Sequence, residues 1–68
     1  MQRINVSSSN IKSIGFEENV LEIEFQGGEV YQYTVVSEGV YSALVSASSI
    51  GSHFHSHIKD KYPTTQIR

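Results

Sequence analysis

Three histidines stand at alternate positions in Ser52-His53-Phe54-His55-Ser56-His57, and these are the side chains most able to do chemistry. On a helix, His53 and His57 fall one turn apart, the spacing that chelates zinc or nickel. His55 then points to the far side. On a strand all three would align. A zinc site needs a third or fourth ligand, and no carboxylate lies at an obvious spacing beside the pair. The histidines are therefore read as solvated or half-packed helix residues, with no metal. Catalysis has no better support. Serines are plentiful, but none sits in a nucleophile motif with a His and an acid. There is no Walker or Rossmann phosphate loop. Cysteine is absent, which removes disulfides, thiolate ligands and cysteine nucleophiles. The reading is a protein that is not an enzyme and carries no cofactor.

Two other groups of residues suit binding. Ser48-Ser49-Ile50-Gly51-Ser52 opens a predicted helix, where free backbone N–H groups favour an anion. His55 and Lys59 follow at four-residue spacing and add positive charge. Ser49, Gly51, Ser52, His55 and Lys59 thus form one candidate anion site, although helix capping alone explains the serines as well. Tyr31 and Tyr33 form the second group, two rings on one face of a predicted strand, able to stack on a planar ligand.

The elements that must position them are legible from periodicity. Arg3 to Val6 reads as a short edge strand. Ile11 to Glu17 alternates, with Lys12, Ile14 and Phe16 on one side. Val20 to Gln26 alternates more cleanly, with Leu21, Ile23 and Phe25 opposite Glu22 and Glu24, as in a half-buried strand. Gly27-Gly28 is a hairpin turn, and Glu29 to Val36 is a strand rich in β-branched and aromatic residues. Ser37 caps a helix in which Val40, Leu44 and Ala47 recur at helical spacing. A second helix runs from Ile50 to about Lys61, buries Phe54 and Ile58, and ends before Pro63. The expected fold is α+β, a three- to four-stranded antiparallel meander followed by two C-terminal helices, in one domain over residues 1–68.

Turn length decides where the tyrosines point. A two-residue Glu18-Asn19 turn pairs Phe16 with Leu21 and Ile14 with Ile23. A two-residue Gly27-Gly28 turn then sets Glu24 opposite Tyr31 and Glu22 opposite Tyr33. That would place both tyrosines on the face the helices leave open, a surface suited to a partner chain or a stacked ligand. A three-residue turn slips the register by one and sends them into the core. The sequence allows both.

The order and spacing of these residues resemble the KTSC domain family, found at the C-terminus of some lysyl-tRNA synthetases and as small free-standing proteins of bacteria and their phages. The resemblance rests on Ser8, Ile11, Phe16, Leu21, Phe25 and Gly28, on the central Tyr31-Gln32-Tyr33, and on Val40-Tyr41, Leu44, Ala47, Ser49, Gly51, Phe54 and Ile58. Phe16, Ser37 and His55 stand where the family often has Tyr, Pro and Asn. The resemblance implies the β-then-α fold, and its synthetase association points toward RNA.

Charge narrows the ligand. The net charge is −2, with six glutamates and no Lys or Arg between Gly15 and Gly39. Lys59, Lys61 and Arg68 cluster with the histidines near the end. A long polyanion demands a broader basic surface, whereas a mononucleotide needs one local cluster. No apolar run approaches a membrane span and no secretory signal is visible, so a cytoplasmic protein is expected. The expectation is a non-catalytic module for a nucleotide-type ligand, held at Tyr31, Tyr33, Ser49, Gly51, Ser52, His55 and Lys59. A core this small invites homo-oligomerisation. A phage-encoded oligomer sequestering a small nucleotide signal fits that size and class. An RNA-binding module and a protein-interaction module using the tyrosine face are the alternatives.

Overall fold

The computed structural model describes all 68 residues. Five antiparallel strands form one sheet: β1 (Arg3–Asn5), β2 (Ile11–Glu17), β3 (Val20–Phe25), β4 (Val30–Tyr33) and β5 (Thr64–Gln66). Their spatial order matches their chain order. Two helices, α1 (Glu38–Ser46) and α2 (Ile50–His57), lie between β4 and β5 in sequence and cover one sheet face. The expected α+β fold is present, with a fifth strand that the sequence reading lacked. β5 is short, polar and fully exposed, so it has no apolar alternation to reveal it.

The β2–β3 hairpin is as expected. Phe16 pairs with Leu21 and Ile14 with Ile23, and both turn residues, Glu18 and Asn19, take positive φ, the conformation of a type I′ turn. One correction falls on β2. A bulge between Ile11 and Ser13 gives that strand one unmatched residue. Ile11 thereby joins Ile14 in the core, while Lys12 is exposed, reversing the side expected for both.

The β3–β4 hairpin takes the three-residue turn. Phe25 N–H donates to Glu29 O at 2.8 Å and Gly28 N–H to Phe25 O at 2.9 Å. Gly28 alone of the two glycines takes positive φ, at 98°, which marks a type I turn closed by a left-handed glycine. Leu21 then faces Tyr33 and Ile23 faces Tyr31. The tyrosines lie on the helix side, and Val30 moves to the other face. No open tyrosine face exists to recruit a second copy of the chain.

The core is Ile11, Ile14, Leu21, Ile23, Tyr33, Val36, Leu44, Phe54 and Ile58. Ser37 caps α1, its Oγ accepting from Val40 N–H at 3.3 Å. Leu44 is the fully buried residue of α1, while Tyr41 stacks on Phe16 with ring centroids 5.1 Å apart. Helix α2 stops at His57, a turn short of the expected Lys61. Both Ile58 and Lys59 donate to Phe54 O, and Asp60 takes a φ of 64°. The chain must reverse there, because Thr34 N–H donates to Pro63 O and β5 returns along β4.

The far sheet face is polar. Arg3, Gly15, Glu22, Gln32 and Thr65 follow one another across all five strands. Arg3 reaches over Gly15 and donates to Glu22, which also accepts from Gln32 at 2.9 Å. A Cβ on Gly15 would sit 2.8 Å from Gln2 O and 2.9 Å from Arg3 Cγ, so only glycine lets the N-terminal strand cross here. Glu24 accepts from Ser13 at 2.9 Å and from Arg68 at 3.0 Å. The Ser13 hydroxyl, then the nearby lysine and arginines, hold its carboxyl below the usual carboxylate range.

Val35 is the strained residue. It is β-branched, takes a φ of 62° and is 75% exposed. Thr34 is tied to Pro63, and Val36 is tied to Asn19 through both its N–H and its C=O. The residue between these anchors has no freedom to relax. A left-handed β-branched residue costs about 1–2 kcal/mol, and Asn tolerates that conformation. Val35→Asn is therefore expected to raise the unfolding free energy by about 1 kcal/mol, read as a higher urea midpoint. An unchanged or lower midpoint would show that no strain is stored there.

Candidate functional site

Beside the core, the helix side of the sheet opens into a cleft of about 630 Å³. The strands supply Phe25, Tyr31 and Tyr33, and α2 with the turn after it supplies Phe54, His55, Lys59 and Asp60. Register explains the aromatic wall. Phe25, Tyr31 and Tyr33 share the helix-facing side only because the β3–β4 turn has three residues. The rings interlock edge to face: Phe25 with Tyr31 at 5.7 Å, and Phe54 with both Phe25 and Tyr33 at 5.6 Å. Edge-to-face contacts of this kind fix the ring positions. Tyr31 is half-buried and is the tyrosine whose ring remains accessible, whereas the Tyr33 ring is taken up by the core.

Titratable side chains rim this cleft in two groups. His55 and Lys59 stand on the helix side. Glu29 lies on the hairpin, its carboxylate folded over Gly27, where a Cβ would come 2.6 Å from Glu29 Oε1. Asp60 sits near the tyrosines. The ion pairs of the chain join the N-terminus to Glu17, Arg3 to Glu22 and Glu24, and Arg68 to Glu24. None uses His55, Lys59, Glu29 or Asp60, so these four side chains remain available to a ligand.

The serine-rich start of α2 lines a second, smaller cleft of about 490 Å³. Ser49, Gly51, Ser52 and His55 border it, with Ser7 to Asn10 from the loop before β2. Ser49 occupies the N-cap position, yet its side chain makes no capping hydrogen bond. Gly51 lies close under that loop, where a Cβ would come 2.5 Å from Asn10 Oδ1. Ser9, Asn10 and His55 border both clefts.

Of the residues expected from sequence, Tyr31, Tyr33, His55 and Lys59 meet in the aromatic cleft. Ser49, Gly51 and Ser52 lie in its neighbour. Phe25 and Phe54 read as plain apolar residues of a strand and a helix, Glu29 as the first residue of a strand and Asp60 as part of the second helix. Their place in the site follows from the hairpin register and from the left-handed Asp60, which periodicity does not carry. His53 and His57 stack with ring centroids 4.2 Å apart, and His57 Nδ1 lies 3.2 Å from His53 O. No group of three or more metal-ligating side chains comes together around them. No helix is long and apolar enough to cross a membrane.

With that geometry in place, the chain can be set beside known proteins. The model of the KTSC domain matches residues 7–62. This chain belongs to the KTSC domain family. It resembles a crystal structure of a KTSC domain protein from Yersinia pestis with a TM-score of 0.92 and 43% identity, over 98% of this chain and 97% of that one. An uncharacterised protein of Stutzerimonas stutzeri is 38% identical over 64 residues, covering 91% of this chain and 90% of its own. A lysine–tRNA ligase of Nostoc punctiforme is 39% identical over 61 residues. That match takes in 87% of this KTSC chain but only 11% of the ligase. The expected resemblance and the strand-then-helix fold are thereby confirmed.

Proposed function

We propose that this KTSC domain is a non-catalytic binding module for a nucleotide-type ligand. The observation that carries the reading is the aromatic cleft beside Tyr31, rimmed by Lys59 and His55, neither of which is in an ion pair. Its volume of about 630 Å³ falls within the usual range of small-molecule sites, roughly 300–1,000 Å³. A base stacks on Tyr31, with Phe25 at its edge. Lys59 and His55 face the phosphate. The border that His55 shares with the serine-lined cleft lets a longer phosphate chain reach Ser49, Gly51 and Ser52. No nucleophile paired with a base lines either cleft, and this favours holding a ligand over turning it over. Sequestration or sensing of a small nucleotide is the role that such a module serves, alone or as a homo-oligomer.

RNA is the second reading, favoured by the lysine–tRNA ligase relative. Free cations argue against it. Arg3 and Arg68 are engaged with Glu22 and Glu24, which leaves Lys12, Lys59 and Lys61, too few for a long phosphate backbone.

Isothermal titration with AMP, GMP and a short single-stranded RNA tests the proposal, and native mass spectrometry of the same samples reports subunit number. Binding of a mononucleotide is expected, weakened about tenfold or more by Tyr31→Ala, the scale of one lost stacking contact. Lys59→Ala should weaken the nucleotide more than the parent nucleoside. RNA binding that falls steeply with salt, with no mononucleotide binding, would hand the site to the second reading. Silence from all three probes would sink both.

A further inference from the structure

One polar atom in the aromatic cleft has no partner in the fold. Tyr33 is only 4% exposed, and its ring packs edge-on against Phe54. No hydrogen bond within the chain uses its hydroxyl. Yet no fully enclosed side-chain oxygen or nitrogen is left without a partner, so this oxygen must reach the cleft surface that Tyr33 lines. A buried tyrosine normally finds a partner for its hydroxyl. Phenylalanine would fill the same core volume, so packing alone does not account for the hydroxyl. The neighbours say which way such a group acts. Burial, then Tyr31 and Asp60, pushes the Tyr33 phenol up to about 12. Like any phenol it holds its proton at physiological pH and is able to donate. Phe25, Tyr31 and Phe54 line the same cleft, and beside such apolar walls a hydrogen bond is electrostatically stronger than in open water.

We propose that the Tyr33 hydroxyl is the floor contact of the cleft, donating a hydrogen bond to an oxygen of the bound nucleotide. This rests on the nucleotide reading of the same cleft and goes beyond it. Tyr31 supplies the stacking face, while Tyr33 is a polar anchor whose ring belongs to the core. The acceptor is either a base carbonyl or an oxygen of the sugar-phosphate, and two probes separate these sources. GMP carries a carbonyl on its base, AMP carries none, and both share the ribose phosphate.

The test is Tyr33→Phe, titrated with GMP and with AMP and unfolded in urea beside the wild type. The variant should be at least as stable as the wild type, because the ring packing is kept. Its affinity should fall about tenfold, the scale of one hydrogen bond. A loss for GMP alone places the contact on the base carbonyl, and a loss for both nucleotides places it on the sugar-phosphate; either supports the proposal. If the wild type binds and Tyr33→Phe binds equally well, the nucleotide reading stands and the role of Tyr33 is overturned. A clear fall in the urea midpoint would show a structural hydroxyl and overturn it too. If the wild type binds neither probe, the underlying reading fails and this contact falls with it.

Discussion

Phe54→Ala is expected to cost about 3–5 kcal/mol, the range for emptying a buried aromatic site. Phe54 is 4% exposed and touches Phe25 and Tyr33 edge to face. It is the one buried residue within α2 and, with Ile58 at its C-cap, anchors that helix in the core. Each aromatic pair adds about 0.5–1.5 kcal/mol beyond area burial. A domain of this size has a total stability of roughly 3–10 kcal/mol. The substitution therefore consumes much of what holds the fold, and α2 should detach with its share of the cleft. Urea unfolding followed by circular dichroism reads the effect. Phe54→Leu retains most of the apolar volume and should lose clearly less. If Phe54→Ala shifted stability by under about 1 kcal/mol, the site would have to collapse far better than cores usually do, and α2 would need another anchor.

The second large effect lies on the other face. Glu22 is 7% exposed, and its carboxylate depends on Arg3 and Gln32. Deleting Arg3 strands a shielded negative charge with one neutral donor. Breaking a buried pair in this way costs about 3–5 kcal/mol, and Arg3 is partly exposed, so Arg3→Ala should cost about 2–3 kcal/mol. Glu22→Gln removes the charge while preserving a hydrogen-bonding shape. In the double variant the loss should be well below the sum of the single losses, since the stranded charge is gone. A cost near the few tenths typical of exposed pairs, with additive singles, would reclassify the contact as a surface ion pair. Gly15 belongs to the same argument, because the arginine reaches Glu22 only across a position without a side chain.

How far the sequence reached differs from hairpin to hairpin. Glu18-Asn19 left one plausible loop length, and apolar alternation on both flanks agreed with it, so the β2–β3 register was legible. Gly27-Gly28 fits two loops equally well. The choice falls on which glycine takes positive φ, and both residues are permissive. Everything downstream of that choice followed it: the burial of Tyr33, the loss of an open tyrosine face and the formation of the cleft. The bulge at Lys12 was hidden for a similar reason, since one unmatched residue inverts a face without changing composition. The candidate site was half legible. Chemistry-bearing side chains such as Tyr31, His55 and Lys59 announced themselves by type. Phe25 and Phe54 did not, because an aromatic residue that lines a cleft looks like one that fills a core.

Glu24 receives both Arg3 of β1 and Arg68, two residues beyond β5, so the two ends of the chain are fastened to the same side chain. The clasp lies on the polar face, and the cleft lies on the face with the helices. One carboxylate in the middle of the sheet thus ties down both ends of the chain, and Glu24→Gln would loosen the two together.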